Sequence, residues 1–348
     1  MQKANNYVKT EWVWSLESEA QRIIHTAKQM STGFYQSQGF LVLPQQYLKL
    51  NRDIVVFPDL KTDSIARFWS KVGQANINDM PVSKDKELID GIVGYLKDLK
   101  LNEPKMEKLK ALWNKSQNQI NEKIEAVLGK SGLISKLIIH PSNFGTSVSF
   151  NVPKGFPAEI KLFLRFDQDV YSLVEGILSA LLRYQLVLKY DAAWKERELL
   201  VDWLVRDSSI GLLLKKFQPT SEIPTTTGVI QKKQYSRLKK LSDDFLKKLK
   251  TPGKFQHNLT TKKFSVYLGG NKLLDLTWKE RRVLLLLNQN RGDVVSQDKI
   301  SEIVFRDEQH FSLYALAKFL QRLREKLEEN GIPGNIIETV RRRGYLLK

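Results

Sequence analysis

Residues 313–347 read LYALAKFLQRLREKLEENGIPGNIIETVRRRGYLL, and this stretch decides the fold of the C-terminal part of the chain. Leu316, Leu320, Leu323 and Leu327 recur at spacings of four, three and four, which makes one apolar stripe on a helix over 313–329. Asn330-Gly331 supplies a left-handed helix end, and Pro333 prevents continuation. Ile336–Val340 and Tyr345–Leu347 then read as two strands around Arg341, Arg342, Arg343 and Gly344, a hairpin tipped by three guanidinium groups. Gly344 permits the backbone to reverse, so that Tyr345 and Leu347 turn inward. Lys318, Arg322 and Lys326 lie off the leucine stripe.

Working outward toward the N-terminus, Val294-Val-Ser introduces a helix that Ser296 can cap, with Ile300, Ile303 and Val304 facing inward. Before it, Thr277 and Glu280 form a capping box. The threonine hydroxyl and the glutamate each satisfy an orphan backbone donor of the helix that carries Val283, Leu284, Leu286 and Leu287. Gly292 lies just beyond that helix. Phe264–Leu268 and Lys272–Leu276, joined through Gly269-Gly-Asn, read as an earlier hairpin. Three helices followed by a basic hairpin describe a winged helix. Its third helix turns one face to the core and the other to the major groove, while the hairpin reaches an adjacent minor groove where negative potential is concentrated.

The ordered set Leu276-Thr-x-x-Glu280, Leu286-Leu287, Gly292, Val294/Val295, Leu320-x-x-Leu-Arg-x-Lys-Leu327 and Thr339-Val-Arg-x-x-Gly-Tyr345 resembles the OmpR/PhoB-type winged-helix effector domain of bacterial transcriptional regulators, over roughly 264–348. The resemblance implies that 313–329 is the recognition helix. It places Arg322 at a base-reading position, Arg324 and Thr339 at phosphate-contact positions, and Arg341 at the wing position that enters the minor groove. Phe319 stands where that family often has histidine, and Arg342 where it often has glycine, which makes this wing tip more basic. The candidate DNA-binding set is therefore Lys318, Phe319, Arg322, Arg324, Thr339, Arg341, Arg342 and Arg343. Within it, Arg324 is the cation best placed for a structural role, because Glu328 lies four residues on.

Composition agrees with a polyanionic partner. The chain has 348 residues, with 56 Lys plus Arg against 38 Asp plus Glu, a formal charge of +18. Residues 254–348 hold +7 of it and residues 1–253 the other +11. There is no cysteine, so disulfides, thiolate metal sites and a cysteine nucleophile are excluded. The N-terminus lacks the apolar core of a signal peptide, and no stretch reaches 18 uncharged apolar residues. A cytoplasmic protein with no membrane contact is expected.

Residues 1–210 read as an α+β domain with helices in the majority. Segment 12–48 is aromatic-rich and mostly helical in period, and 62–73, 84–100 and 105–129 read as amphipathic helices. Strands are expected at 137–139, at 147–152 after a turn at 141–145, and at 160–166. An apolar helix over 170–188 and another over 192–206 follow. The expected domains are 1–216, of unknown role in sensing, dimerisation or protein contact; 217–253, a linker with a lysine-rich helix; and 254–348, a winged helix. Leu238, Leu241 and Phe245 give that lysine-rich helix an apolar side, and its lysines suit either a solvated linker or an extra phosphate-contact surface.

Residues 1–130 lack the βα alternation and the acidic pair of a phosphorylatable receiver domain, and the chain contains no GxGxxG, GxSxG or Walker A motif. The run 136–206 weakly resembles a zinc-peptidase-like scaffold. Glu175 is the aligned survivor of His-Glu-x-x-His, and Val174 and Leu178 stand where ligands would be, so that resemblance implies neither zinc nor catalysis. The plainer reading of 170–188 is a packing helix. The expectation for the whole chain is a non-enzymatic, cofactor-free transcriptional regulator that binds double-stranded DNA, with RNA polymerase and a homodimer on DNA as further partners. The alternative is an inactive peptidase-like scaffold with a basic tail that binds nucleic acid or protein non-specifically. Hydrolysis by Glu198 and Asp202 is the weakest reading.

Overall fold

The structure is a computed structural model and describes residues 8–38, 40–44, 54–184, 186, 194–219, 232–251, 259–262, 265–268, 271–272, 276–305, 312–329, 334–340 and 343–347. The chain divides into two units: residues 1–32 with 40–253, and residues 33–39 with 254–348. The first part of the chain runs β1 (Lys9–Trp12), α1 (Leu16–Ser31), α2 (Phe34–Ser37), β2 (Leu41–Leu43), β3 (Ile54–Val56), α3 (Phe68–Gly73), α4 (Lys86–Asp98) and α5 (Glu107–Leu128). It continues with β4 (Ile134–Ser142), β5 (Val148–Phe150), β6 (Ala158–Arg165), α6 (Val170–Tyr184), α7 (Trp194–Arg206), α8 (Ser209–Phe217) and α9 (Lys232–Lys248).

Unit 1 is built on a sheet of order β1-β4-β6-β5, parallel except for β5. The turn at 141–145 therefore does not close a direct hairpin. β6 lies between β4 and β5, with Leu137 opposite Ile160 and Val148 opposite Leu164. One sheet face, carrying Leu137, Ile139, Ile160, Leu162 and Leu164, packs with Trp113 and Ile120 of α5, Val174 and Leu178 of α6, and Leu214 of α8. α6 is thus a core helix, with Val170, Leu173, Val174, Ile177, Leu178 and Leu181 buried.

The other sheet face meets α1 through polar groups. Glu19 Oε2 accepts from Ser142 Oγ at 2.6 Å, and its Oε1 accepts from Asn143 N and Nδ2, each at 2.8 Å, and from Trp14 Nε1 at 3.3 Å. Burial pushes the Glu19 carboxyl up, and these donors pull it back. Arg22 donates to Phe144 O at 3.0 Å and Thr146 O at 2.7 Å, and Arg165 donates to Ile54 O and pairs with Asp167. His25 is buried beside Phe163, and burial lowers its pKa to about 3.

Three expectations change. Segment 12–48 is not one helical run: β1 ends at Trp12, and Leu41–Leu43 pairs in parallel with Ile54–Val56. Three-residue strands of continuous apolar residues leave no period to read. α8 was not anticipated, because a two-residue break separates it from α7; Ser208 caps it by accepting from Ile210 N at 3.0 Å. α9 belongs to unit 1 and does not stand apart as a linker. Leu238, Phe245 and Leu249 are buried, Ser242 Oγ accepts from Val42 N at 2.9 Å, and Thr62 Oγ1 donates to Leu249 O at 3.1 Å. Lys248 and Lys250 pair with Asp59 and Asp63, while Arg237, Lys239, Lys240 and Lys247 remain exposed.

Unit 2 begins with an antiparallel sheet of β7 (Leu259–Lys262), β8 (Ser265–Leu268) and β9 (Asn271–Lys272), one strand more than the expected hairpin. Then come α10 (Trp278–Gln289), β10 (Val295–Ser296), α11 (Gln297–Val304), α12 (Leu313–Glu329), β11 (Ile337–Val340) and β12 (Gly344–Leu347). The last sheet has the order β10-β12-β11, antiparallel throughout, so the terminal hairpin is anchored between the helices by β10. Leu316, Leu320, Leu323 and Leu327 are buried with Val283, Leu284, Leu287, Ile300, Tyr345 and Leu347 in one core. Both units together make a mixed α+β chain. Among the described residues no helix is long and apolar enough to cross a membrane.

Candidate nucleic-acid interface

The capping box forms as the sequence implies. Thr277 Oγ1 accepts from Glu280 N at 3.3 Å, and Glu280 Oε2 accepts from Thr277 N at 2.6 Å. The same Oε2 receives Lys326 Nζ of α12 at 2.9 Å, so one buried carboxylate caps α10 and holds the underside of α12. Burial pushes the Glu280 carboxyl up, but the Thr277 and Lys326 hydrogen bonds outweigh it and set it below the usual carboxylate range. Lys326, off the stripe in sequence, is thereby turned inward.

Arg324 leaves α12 on the side of the hairpin. Its Nε and Nη2 donate to Ile337 O at 3.0 and 2.8 Å, and Nη2 also donates to Thr339 Oγ1 at 2.9 Å. Its guanidinium lies 5.9 Å from the Tyr345 ring centroid. The two positions that the resemblance assigns to phosphate contact are thus bonded to each other, and they brace the hairpin against the helix. Gly344 has φ +148°, and a Cβ there would run into the Val295 carbonyl oxygen, so glycine is what lets β12 approach β10. Tyr345 and Leu347 turn inward and are buried. Arg343 N donates to Val340 O at 3.0 Å, and its side chain is exposed at the hairpin tip.

The face of α12 opposite the leucines carries the remaining candidates. Lys318 and Arg322 are exposed and four residues apart, and neither makes an ion pair among the described residues. Phe319 is half-buried and packs against the core. Arg341 and Arg342, with the Asn330-Gly331 helix end and Pro333, lie outside the described residues. The arrangement can present exposed cations to a polyanion from a helix that is held from below by Glu280 and from the side by Arg324.

The sequence reading passed over Tyr314 and Leu313. Both are exposed on the first turn of α12, at 68% and 59%. Tyr314 sits four residues before Lys318, whose Nζ lies 4.9 Å from the ring centroid. The signal was available, since 314, 318 and 322 share a spacing of four and none falls on the leucine stripe.

Residues 270–347 match the family described as "Transcriptional regulatory protein, C terminal". This match supports a DNA-binding transcriptional regulator with an OmpR/PhoB-type C-terminal winged helix. A solved structure described as "A novel family of redox sensors in the streptococci evolved from two-component response regulators" is similar at 16% identity, over 71% of this chain and 97% of that one, with a TM-score of 0.21. No curated protein matches the chain. The zinc-peptidase resemblance of 136–206 draws no support from these comparisons.

Proposed function

We propose that the chain is a sequence-specific regulator of transcription that acts on double-stranded DNA, with α12 in the major groove and the arginine-tipped hairpin in the minor groove. One observation carries this reading. The face of α12 opposite its buried leucines presents Lys318 and Arg322 without ion pairs among the described residues, on a helix braced by Glu280 and Arg324. Cations without acidic partners on a braced helix suit a polyanion, because binding them releases condensed counterions without first ordering the helix.

In this reading Arg322 reads a base edge, and Lys318 approaches the groove beside it. Thr339 and Arg324, whose Nη1 makes no hydrogen bond among the described residues, meet phosphates. Phe319 supports the helix from its half-buried position. Arg341, Arg342 and Arg343 form the minor-groove wing, and Arg341 contributes most where A·T-rich sequence narrows the groove. Unit 1 senses a signal, dimerises the chain on DNA or contacts another protein such as RNA polymerase. The protein is cytoplasmic, has no cofactor and catalyses no reaction.

The test is selection of duplexes from a random-sequence pool by the full chain. A defined enriched motif supports the reading. Binding without enrichment would leave a basic scaffold with non-specific affinity.

A further inference from the structure

We infer that the first turn of α12 is a thymine-reading surface, on which the Tyr314 ring packs against thymine C5-methyl groups in the major groove. The inference rests on the proposed DNA-binding function and adds to it the base chemistry that the helix recognises.

Tyr314 is 68% exposed and Leu313 59%, whereas the core leucines of the same helix are buried. Their exposure is not scattered. Tyr314, Lys318 and Arg322 succeed one another at intervals of four, so they span about 12 Å of helix. Lys318 Nζ lies over the Tyr314 ring, 4.9 Å from its centroid, so the ring and the ammonium form one exposed unit. The first turn of α12 contains no acidic residue, so no fixed charge there repels a phosphate backbone.

This apolar patch therefore continues a cationic stripe, and charge complementarity selects duplex DNA as its occupant over an uncharged protein surface. A recognition helix presents its N-terminal residues to base edges. Of the groups displayed in the major groove, the thymine methyl is the apolar one. A tyrosine with two χ angles supplies that contact at little entropic cost.

The test uses the full chain and the duplex enriched by it from a random pool, with each thymine replaced in turn by deoxyuridine. That replacement removes one methyl and keeps every base-pairing group. At the contacted position the wild-type protein should bind the deoxyuridine duplex about fourfold more weakly, the factor expected for one methyl buried. Tyr314→Phe should keep that ratio, and Tyr314→Ala should bring it to one. Tyr314 is exposed, so neither substitution disturbs the core. A wild-type protein indifferent to deoxyuridine at every position overturns the inference while leaving DNA binding intact, as does a Tyr314→Ala variant that keeps the wild-type ratio. Failure of the full chain to bind any duplex at low salt overturns the proposed function, and this inference with it.

Discussion

Arg324 Nη2 on α12 donates to Thr339 Oγ1 on β11 at 2.9 Å, and the same guanidinium holds the Ile337 carbonyl oxygen through two further hydrogen bonds. Helix and hairpin are thereby tied together by a side chain. A hairpin held this way meets DNA without first being ordered.

Arg324→Ala should therefore cost about 1–3 kcal/mol of unit 2 stability, since it leaves the Ile337 carbonyl oxygen and the Thr339 hydroxyl without their charged donor. Thr339→Val removes one of the three bonds and should cost less. Urea unfolding of the full chain, followed by a probe in unit 2, measures both. On DNA, Arg324→Ala should weaken specific and random duplexes about equally, because phosphate contacts and hairpin position carry no direct sequence information. A loss confined to the specific duplex would assign Arg324 to a base edge.

Arg322 should behave differently. Arg322→Ala is expected to cost on the order of 1–3 kcal/mol on the preferred site and to flatten base preference at one or two positions. Arg322 is exposed, so folding should be unaffected. Binding measured on the enriched duplex and on a scrambled one separates the cases. Equal losses on both would make it a phosphate contact.

The Glu280 carboxyl is held below its unfolded value, so its contribution is present above about pH 4.5 and is lost as pH falls through the lower folded value. Unit 2 should lose stability on acidification in that range, and α12 should loosen with α10 because both depend on the same oxygen. Glu280→Gln should be less stable at neutral pH and should flatten the acid limb. Denaturation midpoints between pH 7 and pH 3 check this. An unchanged acid limb in the variant would mean that other carboxylates carry it.

Unit 1 has its own acid dependence. His25 titrates at about 3 when folded, because its burial disfavours the imidazolium, and near 6.5 when unfolded. Between these values the unfolded chain binds the extra proton. Stability is full above 6.5 and falls by about 1.4 kcal/mol per pH unit below it. His25→Leu should remove that slope between pH 6.5 and 4. A variant with the wild-type slope would show that His25 is protonated in the folded protein.

Much of unit 2 was legible in the sequence because its signals are local. The leucine stripe, the Thr277–Glu280 box and the inward turn of Tyr345 and Leu347 each fall within one element, and each forms as read. The Lys326–Glu280 and Arg324–Ile337 bonds were not legible, since they join residues 46 and 13 positions apart whose approach depends on the packed fold. In unit 1 the apolar helices and long strands were readable. Its strand order was not, because β6 enters between β4 and β5 by a crossover that no local pattern encodes. The polar side of α1 was hidden for the same reason: Glu19 and Arg22 look like an exposed face until the β4–β5 turn supplies their partners, and His25 until Phe163 of β6 packs against it.

The most direct test of the account is the salt dependence of binding between the full chain and its enriched duplex, for wild type and for the double variant Lys318→Ala with Arg322→Ala. The account predicts steep weakening with salt, with each phosphate contact adding about 0.9 to the log–log slope. In the double variant it predicts a shallower slope and loss of preference for the enriched over a scrambled duplex. A double variant that keeps both the wild-type slope and the wild-type preference would contradict it and place the DNA site on another surface.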